Sequence, residues 1–163
     1  MVAHSFAVQK ARGEWGESIL DLCLSKRYFI EPSSAFLQRQ GIDRRIQIND
    51  RIWHLEYKTD FKADETGNAF IETISADARK KDVGWAIKSK ADILIYYLPP
   101  SGRIYITPMM ALRSMLPRWQ SRYQARCAKN HAYNTHGLLV PLFELASISQ
   151  LAQIPVKSVI VTD

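Results

Sequence analysis

The chain has only two cysteines, and Cys23 and Cys127 form no CxxC pair of the kind that clips a metal. Cys23 falls in an apolar helical pattern, so the pair read as buried free thiols of a reducing cytoplasm. No apolar stretch approaches the roughly 20 residues that span a bilayer, which excludes a helical membrane protein. The opening residues, MVAHSFAVQKARGEWGES, lack the continuous apolar core of a secretory signal. Internal repeats, low-complexity tracts and Gly/Ser-rich linkers are also missing, and residues 1–163 read as a single domain.

What remains is ordinary globular material with a basic excess. The hydrophobic fraction is 47% and the charged fraction 23%, as in a folded rather than a disordered chain. A net charge of +6 and a pI near 9.4 favour polyanionic partners, nucleic acid before an anionic membrane. From about residue 12 to 28, Trp15, Ile19, Leu20, Cys23 and Leu24 recur at helical steps, and EPSS (31–34) ends the pattern. RRIQINDRIWHLEYKT predicts a hairpin turning at Asn49-Asp50. NAFIETIS (68–75) predicts a third strand, and DARKKDVGWAIKSK (77–90) a polar, partly helical connection. ADILIYYLPPSG (91–102) is apolar on both faces, as in a central strand covered on both sides, and RIYIT (103–107) is its hairpin partner. Helical patterns follow at about 108–116 and 118–129, and GLLVPLFELASISQLAQ suggests a short strand or turn and a last helix. This order describes an α/β fold with a mixed central sheet flanked by helices.

The chemistry-bearing stretch is IWHLEYKTD (52–60). Residues two apart on a strand share a face, so Glu56 and Lys58 stand side by side and Tyr57 points the other way. Asp43, at the mouth of the preceding strand, is carried toward Glu56 by the hairpin. Two carboxylates and an ammonium are the parts that phosphodiester hydrolysis by a hard cation requires. Mg²⁺ takes one or two protein carboxylates and keeps several waters; it polarises the phosphoryl oxygen and lowers the pKa of water. A lysine can orient or deprotonate the attacking water, or neutralise charge on the phosphate. Glu17 shares the inward side of the first helix, where a charge is costly unless it faces a polar cavity. Glu14, one turn earlier, could take its place.

Asp43, twelve residues, then Glu56-Tyr57-Lys58, preceded by a helix bearing Glu17, resembles the PD-(D/E)xK nuclease superfamily. These restriction-endonuclease-like proteins share an αβββαβ core and include restriction enzymes, Holliday-junction resolvases and some homing endonucleases. GWAIKSKADILIYY is similar to the second core helix and fourth strand of such proteins, while Ile42 stands where the family's literal proline would be. The resemblance implies a core over about 12–107 and a helical C-terminal extension over about 108–163. It implies metal ligation by Asp43, Glu56 and the Tyr57 carbonyl, a catalytic Lys58 and an auxiliary Glu17, with Mg²⁺ as cofactor and Mn²⁺ as substitute. The implied activity is a DNA endonuclease, and cutting both strands calls for a homodimer or higher symmetric oligomer. A cytoplasmic or nucleoid-associated location, in a cellular or phage-encoded protein without a membrane partner, goes with it. The alternative is a non-cleaving nucleic-acid-binding module on the same fold.

A second signal is basic. PRWQSRYQARCAKN predicts a helix begun by Pro117, with Arg118, Arg122, Arg126 and Lys129 as one cationic stripe and Trp119 and Tyr123 as a parallel aromatic one. With Lys80, Lys81 and Lys88, that stripe is expected to hold a DNA backbone, positioning the substrate rather than reading it. Among the other polar residues, Asp60 reads as a turn carboxylate, Asp92 as a cap and His54 as a sheet histidine, with His131 and His136 in loops. Glu72 either faces the site from the third strand or pairs with a lysine on the sheet surface.

Overall fold

The computed structural model of the chain describes residues 6–77, 81–129 and 133–155. Apolar helical spacing gives α1 (Phe6–Leu24), and the chain then enters β1 (Phe29–Pro32) and the short α2 (Ala35–Gln38). Ser34 caps α2 by accepting a hydrogen bond from Leu37 N at 3.4 Å. β2 (Arg44–Ile48) and β3 (Arg51–Thr59) form the expected hairpin, with Asn49 taking the left-handed turn position at φ 55°. α3 (Ala63–Thr66), β4 (Asn68–Asp77), β5 (Lys81–Val83) and α4 (Trp85–Lys88) lead into β6 (Ile93–Leu98) and β7 (Arg103–Pro108). The rest comprises α5 (Met109–Arg122), β8 (Ala125–Lys129), β9 (Tyr133–Pro141), α6 (Leu142–Ala146) and β10 (Gln150–Gln153).

These elements build a mixed α/β fold around a six-stranded sheet of order β1-β2-β3-β6-β7-β10, beside a four-stranded sheet of order β5-β4-β9-β8. In the larger sheet β3 and β6 pair in parallel and every other pair is antiparallel. β6 is central, as its two-sided hydrophobicity requires. Leu94, Tyr96 and Leu98 face Ile71, Leu138, Val140, Met109, Leu112 and Trp119, contributed by the second sheet and α5. Ile95 and Tyr97 point the other way and join Leu20 of α1 with Leu55 and Tyr57 of β3. The alternation of β3 therefore buries Tyr57 beneath α1 and turns Glu56 toward the second sheet.

Several expectations are corrected. The third predicted strand, β4, leaves the central sheet and pairs with β9 and β5 instead, which lays a second layer over the face that carries Glu56. The C-terminal extension is not mainly helical: β8 and β9 pair antiparallel, and β10 pairs with the outer side of β7. Pro117 lies inside α5 rather than at a helix start. The helix ends at Arg122 because Tyr123 turns extended, with φ −117° and ψ 132°, and its hydroxyl donates to Glu144 Oε1 at 3.0 Å. Trp119 Nε1 (3.3 Å) and Arg122 (2.8 Å) donate to the same buried carboxylate. Cys23 is half-buried and Cys127, on the outer strand β8, is exposed, so the second thiol is not a core residue.

Trp119 is fully buried, so its removal empties the core between α5 and the second sheet. Trp119→Ala is expected to cost about 3–5 kcal/mol of stability, read as a lowered urea midpoint.

Candidate active site

The hairpin register sets Arg44 opposite Leu55, which places Asp43 beside the middle of β3. Asp43 Oδ2 accepts a hydrogen bond from Tyr57 N at 2.7 Å, and Asp43 N donates to Leu55 O at 2.8 Å. The carboxylate thereby takes the place of a ladder partner and is fixed next to Glu56. Glu56 is 3% exposed. Its Oε1 forms a close ion pair with Lys58 Nζ, and its Oε2 is 3.4 Å from Ser89 Oγ. Ser89 Oγ also donates to Gly41 O at 2.6 Å. Gly41 has φ 71°, and a Cβ there would lie 2.7 Å from Ser89 Cβ and 2.9 Å from Glu56 Oε2. Only glycine fits against the buried carboxylate.

Electrostatics follow from this crowding. Burial raises the Glu56 pKa, the Lys58 ammonium opposes the rise, and Asp43 adds to it; the net shift is upward. Burial would lower Lys58, but the charges of Glu56 and Asp43 outweigh it and raise its pKa, so the amine stays protonated. Glu17 is raised chiefly by burial and then by Asp43, with Arg44 in opposition. Glu17 and Asp21 of α1 both grip Arg44, at 3.1 and 2.9 Å, and the guanidinium lies over the Tyr57 ring at 5.5 Å. Glu17 thus sits on the α1 side of β3, within electrostatic reach of Asp43 and Lys58 but clamped by Arg44. Glu14 pairs instead with Lys10 at 3.6 Å on the exposed side of α1, so it is a surface residue.

Glu72 approaches from the second sheet, just before a bulge at Thr73 that breaks the β4–β9 register. Burial raises its pKa, and the Lys58 charge and the Trp85 amide partly offset that. Glycine is again required at position 84, where a Cβ would lie 2.5 Å from Glu72 O; this close approach seats α4 against the bulge. Trp85 then stands with its ring centroid 5.6 Å from Lys58 Nζ. Between the two sheets lies a cavity of about 380 Å³, lined by Glu56, Glu72, Ser89 and Trp85 and, further out, by Gln38, Arg39, Ser75, Val83 and Lys88. Of the two readings of Glu72, the structure realises the one that faces the site.

The basic residues are scattered. Arg118 is exposed on α5 and Arg126 is exposed on β8, so no single helix carries them. Arg122 is neutralised by Glu144, and Trp119 is core rather than surface. Lys88 pairs with Asp82 at 3.3 Å. Lys80 and the side chains of Lys81 and Lys129 lie outside the described residues, as does His131. Asp60 is the turn carboxylate, receiving Lys62 N, Ala63 N and the buried Tyr96 hydroxyl. Asp92 receives His54 N at 2.9 Å and lies 3.5 Å from His54 Nδ1. Sequence reasoning passed over Gly41, Ser89, Arg39 and Trp85. Of these only the aromatic of GWAIKSK offered a signal, within a segment read as a connection.

Whether these residues suit a hard divalent cation is a question of donor chemistry. Among the described residues no three His, Cys, Asp or Glu side chains already cluster at metal-holding distance. Asp43 and Glu56 are two close carboxylates whose charges disfavour one another, and Asp43 Oδ1 accepts no hydrogen bond among the described residues. Two carboxylates are the complement Mg²⁺ takes from a protein, so the donor set fits.

No protein-family model matches the chain, and no curated protein matches it. Among solved structures, a bacterial homing endonuclease, I-Ssp6803I, is similar: 12% identity, a TM-score of 0.50, and coverage of 78% of this chain and 76% of that one. At that identity the likeness is one of fold. Among the described residues no helix is long and apolar enough to cross a membrane.

Two outcomes follow from the geometry. Gly41→Ala forces a side chain at positive φ against Glu56 and Ser89, and is expected to cost about 1–3 kcal/mol, measured by chemical denaturation. Asp43→Asn keeps an oxygen for Tyr57 N but removes a charge that raises Glu17 and Glu56. Without divalent ions it is expected to melt higher than wild type, by about 2–4 °C per kcal/mol relieved. The sign with pH is set by carboxyls whose folded pKa is raised. Their contribution to stability is present at low pH and lost as pH rises through the raised values. Melts from mildly acidic to neutral pH should therefore show wild type losing more stability than Asp43→Asn.

Proposed function

We propose that this chain is a divalent-metal-dependent DNA endonuclease of the PD-(D/E)xK type. The observation that carries the reading is the assembly on β3, where Asp43 is locked onto Tyr57 N beside a Glu56 that is buried against Lys58. Such an arrangement is costly to fold and has no evident structural return, which is the mark of a site held for chemistry. The fold shared with a protein described as a homing endonuclease supports it. Asp43 and Glu56, with the Tyr57 carbonyl, would hold Mg²⁺ or Mn²⁺. Bound there, the ion would polarise the scissile phosphoryl oxygen and acidify water.

The chain's own groups supply the rest. Lys58, protonated and placed between Glu56 and the Trp85 ring, orients the attacking water and neutralises charge growing on the phosphate. Glu17, clamped by Arg44, ties α1 to β2 and adds negative potential at the ion's position. The basic excess draws the polyanion in, and exposed Arg39, Arg118 and Arg126 are its candidate contacts. Cleavage of both strands would engage two copies of the site in a symmetric assembly.

Incubation with supercoiled plasmid tests the reading. Wild type should nick it in Mg²⁺ or Mn²⁺ and not in EDTA, and Lys58→Ala should be slower by about 10²–10⁴-fold. Failure to cut duplex, branched and single-stranded DNA alike in either metal would leave a protein that binds nucleic acid without cleaving it.

A further inference from the structure

The cavity beside Glu56 has a size and lining that say more than that a phosphate can reach it. Its volume of about 380 Å³ lies at the small end of the range for ligand pockets, about 300–1,000 Å³. That is room for one nucleotide but not for a stacked duplex. Glu56 is 3% exposed, so what little it shows to solvent opens through this space. The walls combine three kinds of group. Trp85 and Val83 bring apolar surface, and Gln38 and Ser75 are hydrogen-bonding side chains from α2 and β4. The cations are Lys88, which pairs with Asp82, and Arg39, which is exposed and without an ion-pair partner among the described residues. An aromatic face, polar edges and a cation are the means by which proteins hold a base taken out of the helical stack.

We propose that this cavity accepts a single unstacked nucleotide next to the scissile phosphate. The inference rests on the nuclease reading above and names its substrate class: DNA with an extrahelical or unpaired nucleotide, at a bulge, mismatch or branch, in preference to continuous duplex. Trp85 supplies the stacking face, and its contact with Lys58 couples occupancy of the cavity to the ammonium at the site. Arg39 holds the flanking phosphate. A base already unpaired forfeits the least stacking on entry, so the preference follows from the pocket without any reading of sequence.

The experiment measures binding in EDTA, where no cleavage is needed. Two duplexes of one sequence carry 2-aminopurine, in one as a single-nucleotide bulge and in the other fully paired. Wild type should bind the bulged duplex about tenfold tighter, the worth of one base–aromatic stack, with a change in 2-aminopurine emission on binding. Trp85→Phe should keep the preference. Trp85→Leu, with an unchanged circular dichroism spectrum, should lose it. Equal affinity of wild type for the two duplexes overturns the proposal, whatever the variants do; so does a preference that survives in Trp85→Leu. A wild type that nicks plasmid yet binds both DNAs alike retires the cavity subsite alone. A protein that never nicks yet keeps the preference supports the subsite and retires the cutting.

Discussion

A carboxylate buried next to an ammonium, with a second carboxylate hydrogen-bonded to the adjacent backbone, sets the terms for the rest of this molecule. Glu56 can be buried only because β3 pairs on both sides, antiparallel with β2 and parallel with β6. That double pairing fixes the strand and aims Glu56 away from α1. The desolvation of the carboxylate is opposed by Lys58 and Ser89 and aggravated by Asp43. Removing Lys58 would leave Glu56 as an uncompensated buried charge, whereas removing Asp43 would take away a neighbouring carboxylate that disfavours the Glu56 charge. The two residues differ in what they do for the fold, although both belong to one candidate site.

Both layers contribute to that arrangement. From the α1 side, Arg44 ties Glu17 and Asp21 to the Tyr57 ring and so anchors the far face of β3. From the other side, the bulge in β4 and the close approach of Gly84 bring Glu72 and Trp85 over the site. The second sheet thus does more than shield the core, since it supplies one wall of the cavity and one of the charges felt by Lys58. Beside that sheet, α5, the turn after it and α6 meet at the buried carboxylate of Glu144.

The parts legible from sequence were those with local causes. Period-two alternation marked the β2–β3 hairpin, and the two-sided apolar run marked β6 as central, because burial acts on each residue of a strand directly. Helical spacing marked α1 and kept both Glu14 and Glu17 open; what separates them is Arg44, some thirty positions away, which grips one and not the other. The second sheet was not legible, since β4 pairs with β9 far along the chain, from Asn68 with Pro141 to Asp77 with Tyr133, and nothing in NAFIETIS states which partner it takes. Residues 118–129 misled because Arg118, Arg122 and Arg126 have true helical spacing. The helix stops where Tyr123 reaches Glu144 and β9 offers the following residues an edge, a case of tertiary pairing overriding local pattern. The cavity, assembled from α2, β3, β4, β5 and α4, has no sequence signature at all.

A chain with a net charge of +6 that concentrates carboxylates at one spot presents a contrast that the proposed nuclease reading accounts for. Were the basic excess uniform, it would attract a phosphate backbone anywhere and hold it nowhere in particular. Glu56 and Glu72 beside Lys58, with Asp43 next to Glu56 and Glu17 held by Arg44 on the α1 side, would repel a phosphate unless a cation stood between them. On that reading, positive charge elsewhere on the surface would bring the polyanion close, and the local negative excess would make close contact conditional on the ion. Binding and reaction are thereby separated. On the proposed reading the long-range field would serve encounter and the short-range field would call for the metal, and neither could replace the other, since screening confines the first to the surface while burial protects the second. Burial and the Asp43 charge raise the pKa values of Glu17 and Glu56, and burial raises that of Glu72. The burial of Glu56 and Glu72 beside Lys58 makes the second-sheet side of β3, rather than any of the basic surfaces, the proposed place of phosphodiester cleavage.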